Sequence, residues 1–240
     1  MAQLIDMQLS LPVLLKDRLS FDNFVVGDNQ QLVDHLIAVA SAVEQSPALV
    51  WLTYCFAESG LGKSHLLFAS SYLAEQSQQS CVYLSFRDKS QLSLEMLEGL
   101  EAYSLICLDD IECIEDDLAW QVALFDLINR IKEQGQSRLI LCARFPLQAL
   151  PLQLPDLLSR LSWGVSFRIV PLNDNERCKA LILRAEQRGL VMSLEVAKYL
   201  LNHLQRDLPA LIACLDKLDE LSLQQQRKLT IPFVKSTLDL

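Results

Sequence analysis

Eight consecutive residues, Ala57-Glu58-Ser59-Gly60-Leu61-Gly62-Lys63-Ser64, carry the types that phosphate chemistry needs, in the order it needs them. Gly60 and Gly62 let the backbone turn tightly, so that successive N–H groups point into one concavity. Lys63 supplies a cation that can reach the β- and γ-phosphates of a nucleotide, and Ser64 a hydroxyl that can hold Mg²⁺. A helix opening at this point would aim its positive dipole end at the same phosphates. The full pattern begins with glycine, and here that position is Ala57. A Gly-rich turn without a ligand is the plainer alternative, and the flanking elements must decide.

Those elements fit the phosphate reading. Leu49-Val50-Trp51-Leu52-Thr53-Tyr54-Cys55 is a continuous apolar run, as expected of a parallel strand buried on both faces. His65 to Gln76 reads as a helix with Leu66, Leu67, Ala69, Ser70 and Leu73 on one side. A second apolar run, Leu105-Ile106-Cys107-Leu108, ends in Asp109-Asp110, about 45 residues beyond the loop. Ligands of open α/β sheets sit at the carboxyl ends of the strands, so acids there face the phosphate loop. Asp109 is the expected Mg²⁺ group, directly or through water. Asp110 stands where many such ATPases carry a glutamate that positions the attacking water.

The remaining chain supplies the scaffold. Residues 1–18 read as a tail. Within it, Gln8-Leu9-Ser10-Leu11-Pro12 could hydrogen-bond through Gln8 and seat Leu9 and Leu11 in an apolar groove. A tail that is disordered, or packed on its own domain, is the alternative. A helix follows from Gln30 to about Glu44, then further strands at Cys81–Phe86, Arg138–Ala143 and Val165–Val170, with a helix from Asp117 to Glu133. Leu154–Leu161 is a short helix begun by Pro155. Past Pro171 only helices are expected, at Asp174–Arg188, Leu194–His203, Leu208–Leu221 and Ile231–Leu238. The expected fold is α/β, a five-stranded parallel sheet over residues 19–170, followed by a small all-helical domain over 171–240.

Composition narrows the class. With 240 residues, 51% of them hydrophobic, the chain can bury a large core. No apolar run approaches the roughly 18 residues of a membrane span, and the N-terminus lacks the pattern of a signal peptide. Seven cysteines are scattered singly, four of them (Cys55, Cys81, Cys107, Cys142) inside apolar runs, where cysteine acts as a small hydrophobe. A reducing cytoplasm without disulfides or zinc is the expected setting. The net charge of -9 repels phosphate backbones, so direct sequence-specific DNA binding is not expected.

Taken together, the loop Gly60-Leu61-Gly62-Lys63-Ser64-His65-Leu66-Leu67, the acids Asp109-Asp110-Ile111, the segment Ser159-Arg160-Leu161-Ser162-Trp163-Gly164 and the opening Phe21-Asp22-Asn23-Phe24-Val25 resemble the AAA+ module of the bacterial replication initiator family DnaA. The initiator continues past its helical lid into a DNA-binding domain, whereas this sequence stops at Leu240. Gln8 to Pro12, Gly27-Asp28-Asn29, Ile111-Glu112-Cys113-Ile114, Leu154-Pro155-Asp156-Leu157 and Arg227 to Lys235 are similar to the Hda group of DnaA-related regulators, over nearly the whole chain.

That resemblance implies several roles. Nucleotide, ADP or ATP with Mg²⁺, would contact Phe24, Val25, Gly60, Leu61, Gly62, Lys63, Ser64 and His65. Gln8 to Pro12 would dock on the DNA-loaded sliding clamp, the β subunit of DNA polymerase III. The module, alone or as a homo-oligomer, would then meet ATP-bound DnaA and stimulate its hydrolysis, a negative control of replication initiation. Arg160 takes the place of the arginine finger that acts on the neighbour's phosphates. Without the family, an Arg160 paired with Asp156 one turn earlier would be preferred. Several positions depart from an active ATPase: Ala57, the shorter acid Asp110, Cys142-Ala143-Arg144 at the polar sensing position, and Leu208-Pro209-Ala210 where the initiator has a phosphate-sensing lid arginine. These imply a site that binds nucleotide and hydrolyses it poorly. The competing expectation is a self-hydrolysing ATPase of clamp-loader or helicase-loader type.

Overall fold

The computed structural model describes residues 19–41, 50–204, 208–225 and 229–238. Gln8 to Pro12 lie outside them. Five strands form one parallel sheet in the order β2-β3-β4-β1-β5. They are β1 (Leu52–Phe56), β2 (Cys81–Ser85), β3 (Leu105–Asp109), β4 (Arg138–Ala143) and β5 (Val165–Arg168). The three inner strands, β1, β3 and β4, read as nearly unbroken apolar runs because both faces are covered, whereas the edge strands β2 and β5 alternate in burial. Tyr54 of β1, Ile106 and Leu108 of β3 and Leu141 of β4 pack with α3 (Leu118–Gln134) and α4 (Pro155–Leu161). Their alternates Cys55, Leu105, Cys107, Ile140 and Cys142 pack on the other side with α1 (Gln30–Ser41) and α2 (Lys63–Gln76).

Boundaries differ from the sequence reading for local reasons. The first strand begins at Leu52, not Leu49, which lies outside the described residues. β2 stops at Ser85 because Ser85 Oγ accepts the Arg87 N–H and starts a 3-10 turn over Phe86–Gln91. β3 stops at Asp109 because Asp110 turns into the left-handed region, at φ 56° and ψ 46°. β5 ends at Arg168, since the Val170 N–H goes to the Asn29 side chain instead of a strand. Asp117 is the cap of α3, accepting from the Trp120 N–H, and so stands outside the helix. Residues 86–102 fold into three 3-10 turns that no periodicity announced, anchored by the buried Phe86, Leu97 and Leu100.

The second unit is all helical: α5 (Asp174–Gln187), α6 (Leu194–His203), α7 (Leu208–Gln225) and α8 (Ile231–Leu238). It has its own core, with Leu181, Leu200, Leu211, Leu215 and Phe233 at its centre. Asn173 and Glu176 form a capping box at the start of α5, each side chain bonding the other's backbone N–H. No described helix is long and apolar enough to cross a membrane.

Gly164 shows how tightly the sheet closes. A Cβ placed there would lie 2.3 Å from the backbone oxygen of Leu52, where nothing but backbone could give way. Gly164→Ala is expected to lower unfolding stability by about 2–3 kcal/mol through overpacking of β5 on β1. A urea-unfolding midpoint unchanged from wild type would count against that contact.

Candidate functional site

The phosphate loop turns at Gly60 (φ 80°) and Gly62 (φ 94°), and α2 begins directly after Gly62. Glycine is required at 62 twice over. The left-handed φ excludes most side chains, and a Cβ would stand 3.0 Å from the Phe24 ring. Ala57, by contrast, has no positive φ, and its N–H continues the sheet by bonding Ala143 O at 3.1 Å. The first loop position therefore accepts alanine without strain.

Around the loop lies a cavity of about 420 Å³ between the sheet domain and the helical unit. Phe24, Val25, Gly60, Leu61, Gly62, Lys63, Ser64, His65 and Asp110 all line it. Asp109 sits beneath, fully buried. Its Oδ2 accepts from Ser64 Oγ at 2.6 Å and Tyr83 OH at 3.1 Å, and its Oδ1 from the Asp110 N–H at 2.9 Å. Burial pushes its carboxyl above the usual range, against the Ser64 hydrogen bond. Lys63 Nζ donates to Ala57 O at 2.7 Å and Glu58 O at 3.1 Å, so the loop closes on its own lysine.

The cavity also has walls that the sequence reading missed. Arg87 follows β2, and Arg177, Ala180 and Arg184 come from one face of α5. With Lys63 these give four cations against the single acid Asp110 among the lining residues, in a chain of net charge -9. Spacing along α5 could have revealed that face, because Cys178, Leu181 and Ala185 are its buried neighbours. Nothing in the sequence ties Arg184 to His65, 119 residues away.

His65 links three segments. Its Nε2 lies 2.9 Å from Ser20 O, which can only accept, so Nε2 carries the proton. Nδ1 then accepts from Arg184 Nη2 at 3.0 Å. Phe24 meets the ring edge-on at 5.1 Å between centroids. Burial lowers the imidazole to about 4, the Arg184 charge adds to this, and the Ser20 hydrogen bond opposes it.

Arg160 is elsewhere. It stands half-buried on α4, outside the cavity lining, with Nε donating to Asn129 Oδ1 at 2.8 Å. Its guanidinium lies 4.1 Å from the Trp163 ring centroid and 5.4 Å from that of Phe125. Asn129, not Asp156, is its hydrogen-bond partner, because the guanidinium folds toward α3 and its aromatic Phe125. The Cys142-Ala143-Arg144 position is also occupied: Cys142 lies under Lys63 O, and Arg144 pairs with Glu58 at 3.1 Å on the surface.

Comparison with known proteins identifies the lineage. Residues 15–168 match the family model described as the bacterial DnaA ATPase domain. The chain belongs to the bacterial DnaA ATPase family. Residues 174–238 match the lid domain of Hda, so this DnaA-family chain carries an Hda-type lid on an AAA+ sheet domain. Domain III of Thermotoga maritima DnaA is similar at 20% identity and a TM-score of 0.77, over 92% of this chain and 95% of that one. AMPPCP-bound DnaA from Aquifex aeolicus is 23% identical, with a TM-score of 0.68, over 85% of this chain and 66% of that one. The Thermotoga maritima RuvB Holliday junction branch migration motor shares the fold at 14% identity and a TM-score of 0.68, over 93% of this chain and 72% of that one.

The His65 contacts give a test by pH. A histidine held neutral when folded takes up its proton more readily when unfolded, near the ordinary 6.5. Stability is therefore whole above that value and falls as pH drops from about 6.5 toward 4. Between pH 7.5 and 5 the wild type should lose on the order of 2 kcal/mol more than His65→Gln, whose side chain does not titrate. Parallel urea-unfolding curves for the two proteins over this window would refute the assignment.

Proposed function

We propose that this DnaA-family chain is a negative regulator of replication initiation, held in shape by a bound nucleotide and acting on the nucleotide of another protein. In this reading ADP or ATP fills the cavity, with Lys63 on the phosphates, the loop N–H groups around them and Phe24 and Val25 beside the nucleoside. Mg²⁺ would supply charge neutralisation between the phosphates. Ser64 and Asp109, already within hydrogen-bonding distance of each other, fit its usual demand for a hydroxyl and a carboxylate completed by phosphate and water. Gln8, Leu9, Ser10, Leu11 and Pro12 dock on the sliding clamp. Arg160 completes the ATPase site of the initiator DnaA, which passes to its ADP form.

The observation that carries this reading is the placement of Arg160. It is separate from its own chain's cavity, and it is held by Asn129 and by the rings of Phe125 and the exposed Trp163. A half-buried guanidinium apart from its own chain's phosphate loop supports a role on another protein's nucleotide rather than its own. The loader-type ATPase reading is weaker, because both oxygens of Asp110 are engaged, one by Ser85 and one by Arg87, which leaves it poorly disposed to orient a water.

Two variants test the two sites separately. Lys63→Ala should weaken nucleotide binding by at least a hundredfold, through loss of a cation and its charge-assisted bonds. Calorimetric titration with ADP giving wild-type affinity would end the nucleotide assignment. Arg160→Ala should keep its own nucleotide, yet reduce stimulated hydrolysis of DnaA-bound ATP about 10³-fold or more when clamp-loaded DNA is present. Near-normal stimulation in single-turnover assays would exclude the trans-acting role. Turnover by the wild-type protein alone would favour the loader-type reading instead.

A further inference from the structure

We infer that Arg87, carried on the turn after β2 and anchored by Asp110, is the residue through which this site distinguishes a nucleoside triphosphate from a diphosphate. The inference rests on the cavity being a nucleotide site, and concerns which end of the nucleotide is read and by what.

Asp110 is nearly buried, and its carboxylate is fully engaged. Ser85 Oγ donates to Oδ2 at 3.0 Å and Arg87 Nη2 to Oδ1 at 2.9 Å. The residue adopts a left-handed backbone without being glycine, a conformation asparagine and aspartate tolerate best. The acid at this position thus serves as an anchor. What it anchors is a guanidinium whose side chain is 70% exposed and which lines the cavity with Lys63 and Ser64. Arginine has five N–H donors in a rigid fork. One is committed to Asp110, and among the described residues the others have no protein acceptor.

The other cations of the cavity are bound differently. Lys63 is tied to the carbonyls of its own loop and Arg184 to His65, while Arg177, also paired with one carboxylate, Asp174, stands on α5 and is far less exposed than Arg87. Asp110 directly follows Asp109, whose carboxylate holds Ser64 Oγ, so Arg87 stands at the same edge of the sheet as the expected metal-binding pair. A γ-phosphate adds charge and acceptor oxygens at that edge, and a fork already fixed by one carboxylate loses little freedom in meeting them. A diphosphate ends short of it. Discrimination by phosphate number is thereby placed on the β2 side of the sheet.

The experiment is calorimetric titration of the full chain with AMPPCP and with ADP, each with Mg²⁺. Arg87→Ala should weaken AMPPCP about tenfold or more and ADP less than about twofold. Arg87→Gln, which still offers Asp110 a hydrogen bond, should give the same selective loss and protects the test if the alanine variant is unstable. Arg87→Lys should fall between, since it keeps the charge without the fork. Equal weakening of both nucleotides, or of neither, would overturn the inference while leaving the nucleotide site intact. A wild-type protein that binds neither would overturn both.

Discussion

A buried carboxylate sets the geometry on which the rest depends. Asp109 lies at the end of a central strand with no exposure, and it is satisfied by the first turn of α2, by a tyrosine of β2 and by the next backbone N–H. An ionised group in such a place is costly unless each lone pair finds a donor. Its donors are therefore themselves held. Tyr83 stacks on Phe68 of α2 at 4.3 Å between centroids, and Ser64 is locked by the helix that Gly62 opens. The phosphate loop, β2 and β3 thus share one point of reference, and both the cavity floor and the anchor for Arg87 follow from it.

A second set of polar ties fixes the lid. Asn29 is buried and bonds Val26 O at 2.9 Å and both the N–H and C=O of Val170, at 2.7 and 3.0 Å. It thereby pins the segment before α1 to the strand exit that leads into α5. His65 does the same across the cavity, between Ser20 and Arg184. Buried networks of this kind specify one arrangement only when every member is satisfied. Two side chains, Asn29 and His65, thus tie the helical unit to the segments around the loop.

The sequence was most informative where one residue type has few alternatives. Glycines 60 and 62, Lys63 and Asp109 announced the loop and its acid, and continuous apolar runs announced a parallel sheet covered on both faces. Pro155 and Asp117 marked helix starts because their roles are local. What stayed hidden depends on pairs far apart in the chain. The Arg184–His65 and Arg87–Asp110 contacts and the Asn29 ties have no period and no motif, since an exposed arginine in sequence looks the same whether it faces solvent or a cavity. Residues 86–102 were illegible for another reason: 3-10 turns are too short to build a repeating face. A role for Arg160 was suggested only by the family resemblance, and its hydrogen-bond partner, Asn129, lies 31 residues away on another helix.

The cationic lining inside an acidic chain also has a kinetic meaning. At a distance an approaching nucleotide meets the field of a net charge of -9, and only within the mouth does it meet Lys63, Arg87, Arg177 and Arg184. At physiological ionic strength the long-range part is screened over about 8 Å, a length shorter than the protein itself. Added salt therefore removes the repulsive approach before it weakens the attraction inside, so encounter quickens while release also quickens. Residence time in the cavity would then govern occupancy, since a nucleotide leaving it would cross back from a positive pocket into a negative surround.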